Sequence, residues 1–308
     1  AALEQRVAAL LGHEAGLFCT TGSLANLLGV WCLVEPGQEL VCDVRAHIAR
    51  AEMGAHAALH GITTRTWDSP DGVTDAATIA ALITPDAGPY LVSTAAVALE
   101  NTHNFGGGTI HPIETLREIR EICRQGGVAM HLDGARLWNA HIATGVPMGQ
   151  YGSLFDTVSV CYSKGMGAPV GSVLVMDADV VPAAARARKV FGGGMRQAGI
   201  VAAGGLHALR HHIARLADDH RRARRLAQGL AELPGLEIDL AGVQTNMVFA
   251  GTRGAGVPAA DLVRRLAAQG VLCLDEAPWS VRFVTHLDVD DDDVEAAIAA
   301  VGRTLHAG

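Results

Sequence analysis

Residues 156–167 read Asp-Thr-Val-Ser-Val-Cys-Tyr-Ser-Lys-Gly-Met-Gly, and this stretch is the basis of the fold that we expect for the whole chain. Val158, Val160 and Tyr162 alternate with smaller residues, which is the period of a β-strand with one face in a core. The strand candidate ends in a serine, Lys164 and two glycines, where the backbone can pass close to a ligand. The stretch predicts a buried strand with a functional group at its carboxyl end.

Two more strand candidates end in the same way, with polar side chains directly after an apolar run. Tyr90–Leu99 is followed by Glu-Asn-Thr-His-Asn at 100–104, and Val128–Leu132 by Asp-Gly-Ala-Arg at 133–136. Short apolar runs that alternate with helical patterns are typical of an α/β fold with a mostly parallel sheet. Because ligands bind outside the carboxyl ends of the strands in such sheets, the three polar clusters predict one site.

The periodicity also indicates where the chain changes character. A single long helix is predicted over Ala198–Leu233, and Pro234 follows it. After that proline, short strands and helices predict a smaller α+β domain, with strands over Leu236–Leu240, Asn246–Ala250, Val271–Leu274 and Val281–Val284. We therefore expect a large domain over residues 1–215 and a small C-terminal domain over residues 216–308.

The composition excludes several classes of protein. The 308 residues carry a net charge of −8 with a pI near 5.9, whereas a nucleic-acid or acidic-membrane binder needs a basic face. The uncharged run Ala15–Val34 is long enough to span a bilayer, but its centre, Thr-Thr-Gly-Ser-Leu-Ala-Asn, has the chemistry of a turn. Six scattered cysteines and the lack of a secretory signal predict reduced thiols in a cytoplasmic protein.

Lys164 is the residue that points most specifically to one chemistry. Lys164 and Lys189 are the only lysines among the 24 basic residues, and all the others are arginines. A guanidinium keeps its proton, whereas an amine can lose it and form a Schiff base. Because the chain has arginine at almost every other basic position, the lysine at residue 164 indicates that an amine is needed there. The alternative is an ordinary surface lysine.

Asp133 and the pair Gly22-Ser23 fit a phosphorylated pyridine cofactor. A carboxylate at a strand end can keep a pyridinium nitrogen protonated, which strengthens pyridoxal phosphate as an electron sink. Gly22 and Ser23 precede a helix expected from Leu24, whose first N–H groups and positive end favour a phosphate. The alternative for Asp133 and Ser23 is a plain helix cap. No G-x-G-x-x-G or G-x-x-x-x-G-K-[ST] motif favours a dinucleotide or a nucleoside triphosphate.

Three other clusters resemble binding sites without completing one. Two pairs of histidines four residues apart lack the further ligands that zinc requires: His56 with His60, and His207 with His211. The acidic run at 288–295 lacks the glycine and the glutamate of a calcium loop, and it suits the start of the last helix. The basic run at 221–225 adjoins acidic residues, which favours a solvated face. No metal site is expected.

Five segments resemble, in the same order, those of one enzyme family. They are Leu-Glu-Asn-Thr-His-Asn at 99–104, His-Leu-Asp-Gly-Ala-Arg at 131–136, Ser-Val-Cys-Tyr-Ser-Lys-Gly-Met-Gly-Ala-Pro-Val-Gly-Ser at 159–172, Gly-Gly-Gly-Met-Arg-Gln at 192–197 and Val-Thr-His-Leu at 284–287. The sequence resembles the low-specificity L-threonine aldolases, grouped with the aromatic β-eliminating lyases. These are pyridoxal 5′-phosphate enzymes of the aspartate-aminotransferase fold, fold type I. The resemblance covers essentially the whole chain. It implies a large domain with a mixed, mostly parallel sheet and a small α+β domain.

The resemblance implies one set of residues for pyridoxal phosphate. Lys164 would form the Schiff base with the cofactor, Asp133 would pair with its pyridinium nitrogen, and His47 would stack on its ring. The other members would hold its phosphate and remaining polar groups, partly across a subunit interface: Gly22, Ser23, Arg136, Lys189 and Arg196.

The resemblance also implies a substrate and a reaction. Arg136 and Arg282 would bind the substrate carboxylate, as bidentate guanidinium groups do, and His103 would lie near the substrate hydroxyl. The implied reaction is the retro-aldol cleavage of L-threonine, L-allo-threonine or another β-hydroxy-α-amino acid to glycine and an aldehyde. His103 and His47 are the candidates for the base, directly or through water.

Other functions of the same fold stay open at this point. A β-eliminating lyase would release ammonia and a keto acid, and an aminotransferase would pass the amino group to a second keto acid. The family implies a homo-oligomer, a dimer of dimers whose sites are shared between subunits. The resemblance starts after the family's N-terminal arm, with its Ser-Asp-Thr and Tyr-Gly-Asp-Asp segments. A non-catalytic pyridoxal-phosphate-binding oligomer is a further alternative, which would be supported only if the protein lacks that arm.

Overall fold

The chain forms two compact units, Ala1–Ile213 and Ala214–Gly308, and the computed structural model describes residues 1–306. The elements of the first unit are, in chain order, α1 (Ala2–Leu11), β1 (Ala15–Cys19), α2 (Gly22–Trp31), β2 (Glu39–Asp43), α3 (His47–Arg50), α4 (Ala55–His60), β3 (Thr63–Trp67), α5 (Ala76–Leu82), β4 (Thr94–Glu100), α6 (Ile113–Gly126), β5 (Ala129–Gly134), α7 (Leu137–Thr144), α8 (Met148–Gly152), β6 (Thr157–Cys161), β7 (Ser172–Met176), α9 (Val181–Val190) and α10 (Gly199–His211). Those of the second unit are α11 (Leu216–Ala231), β8 (Met247–Gly251), α12 (Ala259–Ala267), β9 (Leu274–Ala277), β10 (Ser280–Val284) and α13 (Asp291–His306).

The first unit is built on a seven-stranded sheet in the order β1-β7-β6-β5-β4-β2-β3. Strand β7 is antiparallel to both of its neighbours, and every other pair of neighbours is parallel. All five residues of β2, β6 and β7 are buried, so both faces of the central sheet are covered. The expected α/β fold with a mostly parallel mixed sheet is confirmed. The carboxyl ends of β2, β4, β5 and β6 lie at one edge.

The second unit has a three-stranded antiparallel sheet in the order β8-β10-β9. Its core joins the apolar faces of α11, α12 and α13 to the inner face of this sheet, with Leu230, Leu262 and Phe283 among the buried side chains. The predicted strand Leu236–Leu240 is wrong, because this segment makes only an isolated bridge between Glu237 and Gly251.

Three other predicted boundaries are wrong. Strand β4 begins at Thr94, because Tyr90 at the start of the predicted run is 94% exposed. The predicted helix Ala198–Leu233 is two helices. Basic residues occupy the last turn of α10 and acidic residues the first turn of α11, which suits a helix end followed by a helix start. In place of Val271–Leu274, strand β9 runs from Leu274 to Ala277, where it pairs with β10.

The uncharged run Ala15–Val34 contains β1, a turn and α2. Within residues 1–306, no helix has both the length and the apolar character needed to cross a bilayer.

Candidate active site

The parallel register of β4, β5 and β6 brings polar side chains together on one face of the sheet. Glu100 pairs with Asp133, and Asp133 pairs with Ser159. Directly paired residues of neighbouring strands project to the same face. Two residues earlier on that face, the Nδ1 atom of the buried His131 lies 2.8 Å from the Thr157 hydroxyl. These side chains form a buried polar strip across the sheet.

Helix α2 packs against this strip and adds Asn26 to it. The Asn26 Nδ2 atom donates a hydrogen bond of 2.8 Å to Asp133 Oδ2 and another of 2.8 Å to Glu52 Oε1. Gly29 lies one turn further along the same helix, and a Cβ atom there would lie 2.6 Å from the His131 ring. The close approach of α2 to the sheet therefore depends on glycine at residue 29.

Asp133 is a buried acid, with 4% of its surface exposed. Its Oδ1 atom accepts a hydrogen bond of 3.0 Å from the Ala135 N–H. Burial acts to raise the pKa of Asp133, but the Lys164 ammonium, His47 and the Ala135 N–H outweigh it and hold this pKa below its ordinary value. Asp133 is therefore an anion near neutral pH, as a partner of a protonated ring nitrogen must be.

Lys164 lies in the loop after β6, with its side chain half-buried. Its amine acts on Asp133 through charge, and Nζ forms no hydrogen bond or ion pair with any residue in 1–306. The backbone around it is fixed by a hydrogen bond of 2.8 Å from the Gly167 N–H to the Lys164 carbonyl. The arrangement presents an uncommitted amine beside a buried carboxylate.

His47 begins α3 and is held at two points. Its backbone N–H donates to Glu100 Oε2 at 2.7 Å, and its ring Nδ1 lies 2.8 Å from Glu52 Oε1. The hydrogen bond to Glu52 raises the pKa of His47 above its ordinary value, against burial and with help from Asp133 and Glu100. The imidazole is 29% exposed, so its second nitrogen is the one that can meet a ligand.

His103 has a different environment and is only 1% exposed. Its Nδ1 atom accepts a hydrogen bond of 3.0 Å from the Gly106 N–H, and its Nε2 atom lies 3.3 Å from Asp43 Oδ1. A Cβ atom at Gly72 would overlap its ring. Both ring nitrogens of His103 therefore face groups of the protein itself.

Arg136 and the start of α2 complete the site predicted in the first unit. Arg136 Nη1 donates a hydrogen bond of 2.9 Å to Asn104 Oδ1, beside the Asn104 N–H that donates to Glu100. At the start of α2, Thr21 is the N-cap and accepts from the Leu24 N–H. The cap is thus not Ser23, whose hydroxyl is left for another partner.

Ligand atoms of His47, Glu52 and Asp133 all lie within 4.8 Å of one another. A cation could be considered there, because no other such trio is found in residues 1–306. However, the two hydrogens of the Asn26 amide already point at one oxygen of each carboxylate. We therefore interpret the trio as a hydrogen-bonded cluster, and the expectation of no metal stays a prediction.

Comparison with known proteins identifies the family. Residues 1–253 match the family model described as β-eliminating lyase. The chain belongs to the β-eliminating lyase family. It is 37% identical to low-specificity L-threonine aldolase 1 of Arabidopsis thaliana, over 98% of this chain and 86% of that protein. It is 39% identical to the low specificity L-threonine aldolase of Escherichia coli (strain K12), over 99% of this chain and 89% of that protein. The resemblance to the low-specificity L-threonine aldolases is confirmed.

Solved structures of other proteins share the fold of this β-eliminating lyase family member. Leishmania major threonine aldolase superposes with a TM-score of 0.83 at 20% identity, covering 98% of this chain and 88% of that one. A Thermus thermophilus aspartate aminotransferase mutant superposes with a TM-score of 0.71 at 17% identity, covering 97% and 83%. The aspartate-aminotransferase-like fold is confirmed.

The contacts that three predicted site residues make do not test their assigned roles. Lys189, in the last turn of α9, and Arg196, in the loop after it, are both exposed. Arg282 belongs to the second unit, where its guanidinium pairs with Glu276 at 2.7 Å. Their assigned roles stay predictions.

Sequence reasoning missed Asn26 and Glu52 as members of the cluster. Asn26 had a readable signal, because it is the single polar residue in the buried run Ala25–Val30 of α2. A buried amide must find hydrogen-bond partners, so an isolated one indicates a polar network. Glu52 had no such signal, since the spacing from His47 is not that of neighbours on a helix.

Proposed function

We propose that this chain is a pyridoxal 5′-phosphate-dependent aldolase that cleaves β-hydroxy-α-amino acids, among them L-threonine and L-allo-threonine, to glycine and an aldehyde. The observation that carries the proposal is the uncommitted Lys164 amine beside the buried Asp133 carboxylate at one sheet edge. The names of the relatives, L-threonine aldolases at 36–39% identity, support the same substrate class.

The residues present fit pyridoxal phosphate. A Cβ atom at Gly22 would lie 2.8 Å from Cys161 Sγ, so the start of α2 can approach the end of β6 only with glycine there. The N–H groups of this ten-residue helix and the Ser23 hydroxyl suit a phosphate. Asp133 would hold the proton on the ring nitrogen, and Lys164 would attach the cofactor. When bound, pyridoxal phosphate supplies an electron sink for the bond that breaks.

His47 is the better-placed base of the two histidines. The 1% exposure of His103, the hydrogen bond that its Nδ1 atom accepts and the Asp43 carboxylate oxygen 3.3 Å from its Nε2 atom support a structural role for it in this structure. His47 keeps Nδ1 on Glu52 and has its other nitrogen available. We therefore assign to His47 the transfer of the substrate hydroxyl proton and the stacking on the cofactor ring. Arg136, steadied by Asn104, would bind the substrate carboxylate.

The remaining assignments need a second copy of the chain. Lys189 and Arg196 lie beside side chains that are both apolar and exposed, namely Val190, Met195 and Ile200. Exposed apolar patches mark interaction surfaces, which supports a homo-oligomer, a dimer of dimers, in which these cations reach the phosphate of a neighbouring site. Arg282 is proposed as a further ligand of the substrate carboxylate.

Two further proposals concern organisation and compartment. The cofactor-binding domain would comprise residues 1–215, and the small domain residues 216–308. All six cysteines are free thiols, which supports a reducing compartment and hence the cytoplasm.

The test maps the cofactor onto the chain. The purified protein is mixed with pyridoxal phosphate, reduced with borohydride to make the link to an amine permanent, and digested for mass spectrometry. Because Lys164 and Lys189 are the only lysines, the map is unambiguous, and we expect the label on Lys164. The variant Lys164→Arg keeps the positive charge but should lose both the label and aldehyde release from L-threonine.

Each other outcome selects a different function. Label on Lys189, or no change in the absorbance band of pyridoxal phosphate when it is mixed with the protein, would contradict the proposal. A label on Lys164 with ammonia and a keto acid as products would indicate β-elimination. Amino transfer to a second keto acid would indicate an aminotransferase, and a label without any turnover would indicate a non-catalytic binder.

A further inference from the structure

Asn26 forms hydrogen bonds with two acids, Glu52 and Asp133. Its Nδ2 atom donates one hydrogen to Glu52 Oε1 and the other to Asp133 Oδ2, each at 2.8 Å. Its Oδ1 atom accepts from the Ser159 hydroxyl at 2.5 Å and lies 3.2 Å from His131 Nε2. The reversed amide would place its oxygen against two carboxylates, so the orientation of Asn26 is fixed.

Glu52 in turn forms a hydrogen bond with His47. Its Oε1 atom accepts both from Asn26 and from His47 Nδ1, and its side chain is 1% exposed. A carboxylate that accepts from one ring nitrogen places the proton on that nitrogen and leaves the other as the acceptor. For His47 the proton therefore lies on Nδ1, and Nε2 is the basic atom.

We propose that Glu52 and Asn26 are positioning residues: Glu52 fixes the proton-bearing nitrogen of His47, and Asn26 ties Glu52 to Asp133. The four side chains then form one unit, in which the imidazole and the carboxylate intended for the cofactor ring keep a fixed relation. The catalytic value of this unit rests on the proposed function, but its hydrogen bonds and tautomer do not.

Three carboxyl groups face His47, namely Glu52, Asp133 and Glu100. The positive charge of Lys164 offsets the negative charge of Asp133. Burial raises the pKa of Glu52 above its ordinary value, and Asp133 acts in the same direction, while His47 and Asn26 lower it. Replacing Glu52 by glutamine removes the nearest of these negative charges while keeping the shape of the side chain. His47 should then hold its proton less tightly.

The test uses nitrogen NMR of the histidine rings in the protein without pyridoxal phosphate, with His47 assigned by its missing signal in His47→Asn. In the wild type we expect the Nδ1–H tautomer. In Glu52→Gln the proton affinity of His47 should fall about tenfold, which is about one pKa unit. In Glu52→Ala the preference for Nδ1–H should disappear. The matched control is Glu114→Gln, an exposed glutamate that pairs only with Arg117, and it should change neither quantity.

A wild-type His47 with the proton on Nε2 would overturn the proposal, and this outcome needs no variant to fold. An unchanged His47 proton affinity in a folded Glu52→Gln protein would also overturn it, because a purely structural Glu52 leaves the titration unmoved.

The role of Asn26 is tested by a double-mutant cycle of Asn26→Ala and Glu52→Gln, in which the equilibrium constant for unfolding in urea is measured. The two changes should be non-additive by more than about twofold, as for side chains in one hydrogen-bond network. Additive effects would show that Asn26 does not act through Glu52.

Kinetic measurements then distinguish a failure of the proposed function from a failure of the role proposed for Glu52. In Glu52→Gln we expect kcat for L-threonine cleavage to fall more than KM rises, and the acidic limb of the pH profile to move to lower pH. Absence of aldehyde release from the wild type would defeat the proposed function and leave the NMR result standing. Full activity of Glu52→Gln with an unchanged pH profile would defeat the role of Glu52.

Discussion

Gly29→Ala tests whether helix α2 sets the geometry of the site. The new Cβ atom would lie 2.6 Å from the Cε1 and Nδ1 atoms of His131, whereas carbon atoms in contact normally lie about 3.5–4.0 Å apart. About 1 Å of overlap must therefore be relieved. His131 is fully buried, with one ring nitrogen beside Thr157 and the other beside Asn26, so α2 is the element that moves.

The magnitude follows from two opposing effects. Overpacking a well-filled core costs about 1–3 kcal/mol, and replacing glycine by alanine inside a helix returns about 1 kcal/mol. An overlap of about 1 Å places the overpacking cost in the upper half of that range, about 2–3 kcal/mol. We therefore expect a net loss of about 1–2 kcal/mol, or a Tm lowered by about 2–8 °C for a unit of this size. Because α2 carries Asn26, its hydrogen bond to Asp133 also weakens, and the dissociation constant of pyridoxal phosphate should rise at least about tenfold.

The assay is thermal unfolding together with a titration of cofactor absorbance. The control is Gly199→Ala at the start of α10, where a Cβ atom meets nothing within 4 Å, and it should neither lower Tm nor weaken cofactor binding. A Gly29→Ala protein with wild-type Tm and wild-type cofactor affinity would refute the argument, because it would mean that α2 tolerates a 1 Å displacement without disturbing Asn26.

Three further predictions concern stability, each measured by urea unfolding. Asp156→Ala removes the acceptor of both Arg120 hydrogen bonds and of the Met130 N–H, and should cost about 1–2 kcal/mol; a smaller loss than in Glu114→Ala would contradict it. Asp43→Ala leaves the buried His103 Nε2 without its facing carboxylate, at about 1–3 kcal/mol, and a neutral result would refute that pairing. Burial lowers the pKa of His56, His111, His131 and His220 to about 4. Because these histidines bind protons at a higher pH in the unfolded chain than in the folded protein, the unfolding free energy should fall as pH drops from about 6.5 to 4. An unfolding free energy that stays constant over this range would contradict the lowered pKa values.

The sheet edge could be predicted from the sequence because it depends on strand ends alone. A parallel sheet places the carboxyl ends of its strands at one edge, so Glu100, Asp133 and Lys164 had to lie close to that edge once the three strands were identified. The assignment of a role to each residue came from the family resemblance, and those roles remain to be tested.

The cluster itself could not be predicted because it depends on the packing of a helix. Asn26 reaches Asp133 only because α2 lies close enough to the sheet to exclude any side chain at residue 29. Glu52 reaches His47 through the turn that follows α3, which contains Met53 with a positive φ of 56°. Neither the packing distance nor this turn has a periodic pattern, so the sequence alone predicts neither contact.

The strand errors have a related cause. β3 reads Thr-Thr-Arg-Thr-Trp and has no apolar alternation, because it is the edge strand and only Trp67 is buried. Conversely, the apolar start of Tyr90–Leu99 lies outside the sheet, where Tyr90 and Leu91 are exposed. Apolar patterns predict burial against any partner, and side chains left exposed in one copy of the chain suit burial against another.

The charge balance of the cluster gives a physical reason for the cofactor that is proposed to bind there. Glu52, Glu100 and Asp133 are buried together, and the basic groups that act on them through charge include His47, His103 and Lys164. Burial and the charge of Asp133 raise the pKa of both glutamates. A group whose pKa is raised on folding contributes stability below its unfolded pKa and loses it as pH rises through the folded value. Ionisation of the two glutamates therefore opposes the stability of the cofactor-free site as pH rises. A protonated ring nitrogen placed at Asp133 would add a positive charge beside these acids, so the cluster favours a cationic heterocycle over a neutral one.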